Sequence, residues 1–365
     1  MAALIMDKDF KALVVIDDYE SFIWTDRYDQ YGDFELYGPA SAAFFEHTKD
    51  GYYIWSDKSE HVMIIEKNEI KSDVESGTHV TVTGRSLESL LDRRIIWKQT
   101  TLTGNLQNGI KKLLNANVIS PSDKNRQIPN FVFKESTDKA VTDLTVDAQY
   151  TGDNLYEVIS SLCVTNDIGF RIRLTDDFKF EFSLYAGVDR SFEQNTLPYV
   201  IFSPSFENLA NSSYYESSAE LKNVALVGGE GEGSDRVFNT VYNKVSNKHN
   251  KVPSGIDRRE MFVDARDLSS TVDDTTISED EYKSQLKQRG RDYLEKNGYS
   301  TGFEGDIENT DMVSYGKDFF VGDVVQIQNE YGIKATARLL EVVMSNDTSG
   351  LTIVPTFATP TLAKT

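Results

Sequence analysis

A single cysteine occurs in 365 residues. That excludes an intrachain disulfide framework and any zinc site built on several thiolates. Four histidines, at positions 47, 61, 79 and 249, lie too far apart for a local ligand motif. Basic residues are scarce, with 38 Lys and Arg against 58 Asp and Glu, a formal net charge of −20. A dedicated nucleic-acid binder needs the opposite balance, and so does a protein that lies on anionic lipid. No run approaches the ~18 apolar residues of a membrane span. The N-terminal MAALIMDKDF is broken by Asp7, Lys8 and Asp9 and reads poorly as a signal peptide. These features predict assembly in the bacterial cytoplasm with no membrane insertion.

Hydrophobic residues make up 39% of the chain, enough for two or three cored domains at this length. Residues 1–102 read as short β-branched and aromatic strands, at Lys11–Ile16, Phe22–Asp26, Phe34–Tyr37, Val62–Glu66 and His79–Thr83. Turn clusters such as Gly38-Pro39 and Asp50-Gly51 separate them. Leu87, Leu90 and Leu91 mark a short helix, and Arg93–Trp97 reads as a returning strand.

Residues 103–190 change period. Leu106, Ile110, Leu113 and Leu114 form one helical stripe, and Leu155, Val158, Ile159, Leu162 and Cys163 form another. Phe170, Ile172 and Leu174, then Phe178, Phe180, Phe182 and Leu184, alternate as a hairpin. Arg171, Arg173, Lys179 and Glu181 take its other face.

Residues 191–365 return to strands, at Leu221–Val227, Val237–Val245, Val324–Gln328, Ala335–Val343 and Leu351–Val354. One long amphipathic helix interrupts them over 278–297, with a Ser278/Glu281 capping box, Glu279/Lys283 and Asp292/Lys296 pairs, and Gly298 as its stop. The expected fold class is mainly β with an α+β insertion: two barrel-like β domains flanking 103–190.

Chemical motifs are weak throughout. Gly228–Gly233 lacks the lysine and following helix of a phosphate loop, carries Glu230 and Glu232, and reads as a hairpin connection. Asp17-Asp18, Asp176-Asp177 and Asp273-Asp274 read as solvated turn acids, and Cys163 as a buried thiol. No G-x-S-x-G elbow, H-E-x-x-H motif or calcium loop occurs. The residues nominate no catalytic, metal or cofactor site, and no enzyme activity is expected.

Four segments carry a resemblance: VTGRSLESLLDRRIIW (Val82–Trp97), SFIWTDRYDQYGDFELYG (Ser21–Gly38), FSLYAGVDRS (Phe182–Ser191) and FFVGDVVQIQNEYG (Phe319–Gly332). In this order they resemble the hub proteins of phage tails and of phage tail-like bacteriocins of Gram-positive bacteria, which are related to the hub half of type VI secretion spikes. The resemblance implies a virion or particle baseplate hub, a homotrimer whose two barrel-like domains alternate in a pseudo-sixfold ring. Such a ring would adapt a sixfold tail tube to a threefold spike or fibre. The implied partners are a tail tube or distal tail protein and spike, tape-measure or other baseplate proteins, with DNA only as passing cargo. The net charge predicts a ring lumen that is acidic or neutral. Many relatives continue into a peptidase or fibre, whereas this chain ends at residue 365, so any lytic activity is expected from a separate protein. The alternatives are a carbohydrate-binding or cell-wall-degrading tail-tip protein and an acidic-pair hydrolase.

Overall fold

The computed structural model describes residues 1–75, 77–209, 212–243, 252–272, 275–298, 300–305, 313–328, 334–358 and 361–362. The chain opens with strands β1 (Ala3–Met6), β2 (Ala12–Ile16), β3 (Ser21–Arg27) and β4 (Asp33–Pro39), then helix α1 (Ala42–His47), then β5 (Tyr53–Ser56), β6 (Val62–Asp73) and β7 (Gly77–Ser86). Along β4, Phe34 and Leu36 point inward and Glu35 outward, the period of a strand with one buried face. β1, β5 and α1 are too short for their pattern to stand out in the sequence.

A middle region follows, with β8 (Thr100–Asn105), α2 (Leu106–Leu114), β9 (Phe131–Lys134), α3 (Lys139–Thr142), β10 (Thr145–Tyr150), α4 (Leu155–Thr165), β11 (Gly169–Leu174) and β12 (Phe180–Tyr185). Asn105 caps α2 by accepting from the Asn108 amide, and Asn154 caps α4 by accepting from Tyr156 and Glu157. β8 pairs with β10, and β11, β12 and β9 make a three-stranded sheet. The expected stripes of both helices bury together with Phe170, Ile172, Phe182 and Leu184, on a floor of Ile64, Leu87 and Leu91 from the first region.

The last region holds β13 (Ile201–Phe202), β14 (Ser212–Ser217), β15 (Val224–Gly228), β16 (Phe238–Tyr242), β17 (Glu260–Asp264), β18 (Thr271–Val272), β19 (Thr275–Thr276), α5 (Glu279–Lys296), β20 (Ser300–Gly305), β21 (Val324–Gln328), β22 (Lys334–Asp347), β23 (Gly350–Phe357) and β24 (Thr361–Leu362). α5 packs on the sheet β16-β15-β17 through Tyr282, Leu286 and Leu294. Ser278 caps it, accepting from the Glu281 amide at 3.2 Å. Asp292 is buried and accepts from Gln288 at 2.8 Å rather than pairing with Lys296.

The β regions do not form two closed barrels. The largest sheet runs β14-β20-β23-β22-β3-β4-β7-β6-β5-β1-β2, and its two ends do not pair among the described residues. The physical reason lies in β22, which takes β23 on one side and β3 on the other. The C-terminal strands therefore complete the N-terminal sheet instead of curling on themselves. The core follows: Phe22, Trp24, Phe34 and Leu36 pack with Phe202, Phe319, Leu339, Val342 and Phe357. The strand expected at Arg93–Trp97 is also absent. Residues Leu87–Arg93 form a 3-10 helix, after which Ile95 makes only an isolated bridge to Asn154 and the Ile96 amide donates to the Asp153 carbonyl. The apolar run Ile95-Ile96-Trp97 fastens a crossing between regions, with no neighbour strand to pair.

Candidate functional site: a polar junction of three chain regions

The three regions meet at a cleft of about 770 Å³ lined by Asp26, Glu60, His61, Arg171, Arg173, Tyr185 and Tyr315, among others. Asp26 sits at the end of β3, Glu60 and His61 enter β6, Arg171 and Arg173 stand on β11, and Tyr315 precedes β21. The alternation of β11 that buries Phe170 and Ile172 turns both arginines the other way, toward the first region.

Glu60 bridges these arginines, accepting from Arg171 at 2.9 Å and from Arg173. Burial opposes its charge, but Arg173 and Arg171 overcome that and hold its carboxyl below the usual carboxylate range. Asp26 is buried and accepts from Trp24 Nε1 at 2.9 Å, Ser59 Oγ at 2.8 Å and Tyr315 Oη at 2.8 Å. Glu88, 1% exposed, accepts from the Ile172 amide at 2.6 Å and lies 3.6 Å from His61 Nδ1, an ion-pair distance. Burial alone would push the His61 imidazole down. The carboxylates of Asp26, Glu88 and Glu60 outweigh it and raise the ring to about 9, so His61 is a buried cation. Glu88 is opposed by burial too, and the imidazolium holds it down.

A second fastening lies beside the first. Tyr28, 1% exposed, lays one ring edge against Gly169 and Gly322, and a Cβ on either glycine would stand 2.4 Å from that ring. Arg338 covers the ring at 5.2 Å and pairs with Asp167 at 2.8 Å. Asp323 accepts from the Val188 amide and from Arg190 Nε, both at 2.8 Å, which ties the end of the middle region to β21. Donors from different regions meet these carboxylates, so the arrangement holds the regions together, and Glu88 Oε2 is left without a hydrogen bond among the described residues.

The residues weighed from the sequence do not converge here, His61 excepted. Cys163 is fully buried in α4 and burial pushes its thiol well up. His79 stacks on Tyr37 and lies 3.1 Å from Glu20, and His47 ends α1. His249 and Asp273-Asp274 fall outside the described residues. The glycine-rich stretch joins β15 to β16, with the Glu230 carboxylate accepting from the Ser270 amide at 2.9 Å. Asp17-Asp18 lie exposed before β3, and Asp177 in the β11–β12 turn pairs with Lys179 at 2.6 Å. Among the described residues no group of three or more His, Cys, Asp or Glu is placed to hold a metal, and no helix is long and apolar enough to cross a membrane. Glu60, Glu88, Arg171 and Arg173 escaped sequence reasoning. The alternation put the arginines on a polar face, and only the fold supplies the partner 111 residues away.

This fold is similar to that of solved tail proteins. The 43 kDa tail protein of prophage MuSo2 from Shewanella oneidensis aligns with a TM-score of 0.59 at 12% identity, covering 98% of each chain. The tail protein from Neisseria meningitidis MC58 aligns with a TM-score of 0.58 at 12% identity, covering 98% of this chain and 96% of that one. A chain of the Francisella PdpA-VgrG complex aligns with a TM-score of 0.51 at 9% identity, covering all of this chain and 54% of its own length. No curated protein matches. At residues 2–358 the chain matches the family model described as Siphovirus ReqiPepy6 Gp37-like protein, and it belongs to that family.

Proposed function

We propose that this chain is the structural hub of a phage or phage tail-like baseplate, a homotrimeric ring that adapts a sixfold tube to a threefold spike or fibre. The observation that carries the reading is the end-to-end match: the family model spans 2–358, and the MuSo2 tail protein is covered over 98% of its length. The divisions 1–102, 103–190 and 191–365 are the proposed building units of the ring. Two physical features support it. Among the described residues the large sheet leaves its end strands β2 and β14 unpaired on their outer sides, edges that assembly can cover. The junction locks three chain regions together, as a part that bears load between tube and spike requires. The proposed partners are tube or distal tail proteins above and spike, tape-measure or other baseplate proteins below. DNA passes only as cargo, through a lumen whose wall is acidic or neutral.

Native mass spectrometry and negative-stain microscopy of the purified chain, alone and with its tube and spike partners, are expected to give threefold rings. A chain that stays monomeric at high micromolar concentration with those partners present defeats the hub reading. The role is structural, not enzymatic. Purified cell wall incubated with the protein is expected to release neither sugar nor peptide. Release that is lost on changing one Asp or Glu would assign a lytic role instead.

A further inference from the structure

The crossing at residues 93–98 and the 3-10 turn Lys124–Arg126 break the electrostatic pattern of the molecule. Together they carry Arg93, Arg94, Lys98, Lys124 and Arg126 with no acid inside either stretch, in a chain of net charge −20. Arg93 pairs with Glu66 at 3.4 Å, and the other four cations make no ion pair among the described residues. Two carboxylates border the same spot, but both carry other bonds: Asp92 accepts from Arg85 and Asn154, each at 3.0 Å, and Asp123 accepts from the Asn125 amide of its own turn, also at 3.0 Å.

The patch is also built. Trp97 is 64% exposed, and the Arg126 guanidinium lies over its ring at 5.1 Å. Arg126 donates to the Ile95 carbonyl at 2.7 Å and to Asn117 Oδ1 at 3.1 Å. Asn117, itself 2% exposed, also accepts from the Trp97 amide at 3.2 Å. Arg94 Nε donates to the Arg126 carbonyl at 2.9 Å. Burial first, then the charges of Arg126 and Arg93, hold the Arg94 guanidinium below its usual range. Backbone carbonyls and a buried amide thus fix two guanidinium groups and an indole around a shallow cleft of about 400 Å³. Each guanidinium has five N–H donors, more than these contacts use.

We propose that this patch is a docking site for a short acidic segment of a partner protein, its carboxylates on Arg94, Arg126 and the flanking lysines and one aromatic or apolar residue on Trp97. Charge complementarity and size select this occupant. Exposed Trp and Arg at one spot are the residue types that dominate protein interfaces. A short segment touches only the basic island. A nucleic acid is an extended polyanion that would continue across a surface of the same sign, with no further basic track to follow.

The test uses fluorescence anisotropy on the full chain. The probe is a fluorescein-labelled peptide in which acidic residues flank one phenylalanine. Single-stranded oligothymidylate is the second probe. Saturable binding of the peptide at low salt is expected, weakening as salt rises. W97A is expected to weaken it about tenfold. The double variant K98E/K124E, at exposed residues, is expected to weaken it several-fold. Unchanged thermal unfolding of both variants separates lost binding from lost folding. Absence of saturable peptide binding at low salt overturns the proposal, as does binding that neither variant alters. Oligothymidylate that binds as tightly as the peptide and is lost in W97A also overturns it, in favour of nucleic acid.

Discussion

Glu88→Ala should cost the folded chain about 3–5 kcal/mol, the range for removing one partner of a buried ion pair. The change leaves the Ile172 amide without its acceptor and takes one of three carboxylates from a His61 cation that is only 5% exposed, leaving it to Asp26 and Glu60. Urea unfolding near pH 6.5 reads the loss. A change below about 1 kcal/mol would show that the pair carries no such load. Replacing His61 and Glu88 together by apolar residues of similar volume should cost less than Glu88→Ala alone, because the pair is then removed as a unit and Asp26 keeps its bonds from Trp24, Ser59 and Tyr315. The pair also sets a pH dependence. His61 titrates near 9 in the folded state against 6.5 as a free group. Its stabilisation is therefore complete below 6.5 and is lost as pH rises through 9, a change of about 3 kcal/mol at 1.36 kcal/mol per unit. Burial raises Asp29 and Asp292 from 3.8 to about 6, which penalises their ionised forms above that pH. Their effect has the same sign, stability falling as pH rises from 3.8 through 6. Glu88, held low, limits the acid side, its contribution being lost as pH falls through its folded value. The unfolding midpoint should peak on the acid side of neutrality and fall steadily toward pH 9. The slope between 6.5 and 9 should shrink in Glu88→Ala.

Gly322→Ala should be comparably damaging, at about 3 kcal/mol or more, from backbone strain plus overpacking. Gly322 has φ +94°, and its added Cβ would stand 2.4 Å from the Tyr28 ring. The ring has little room to give, because the Gly169 backbone also stands against the same ring edge, close enough that a Cβ there would be 2.4 Å away. Gly104→Ala is the control. It has φ +85° but open space around the added carbon, so only the conformational cost of roughly 1 kcal/mol remains. In a Tyr28→Ala background, Gly322→Ala should lose much of its excess cost, and a double-mutant cycle measures that coupling. Equal losses for Gly322→Ala and Gly104→Ala would rule out the steric account.

What the sequence revealed was local. The stripes at Leu106–Leu114 and Leu155–Cys163 fix α2 and α4, since a helix writes its buried face into neighbouring residues. The alternation of Phe170–Leu174 and Phe180–Leu184 likewise gives the β11–β12 hairpin, but Phe178, expected on its core face, sits in the turn at positive φ and is 48% exposed. The pairing of β3 with β22 has no local sign. Each strand alternates correctly by itself, and nothing in either names the other as its partner. The barrel expectation failed for that reason. Arg93–Trp97 misled in the other direction, because β-branched and aromatic residues that serve a crossing look like those that serve a strand. At the junction, His61 was visible only as the residue before a strand. Its charge depends on Asp26 and Glu88, which the fold brings to it.

The sheet shared by both chain ends also orders events at the ribosome. Arg27 on β3 meets its partner Glu341 on β22 only after 314 further residues have been added. At 5–20 residues per second that is roughly 15–60 s of synthesis. During that interval β3 has β4 on one side and an open edge on the other, with Phe22 and Trp24 waiting for Val342 and Phe357. The middle region meets no such delay, because α2, α4 and the β11–β12 hairpin draw on partners made close together in time. Nascent chains should therefore acquire a protease-resistant middle first, while the N-terminal strands wait exposed and depend on chaperones until the last strands emerge. A stop codon ahead of β22 would leave that edge open permanently and turn the truncated chain toward aggregation.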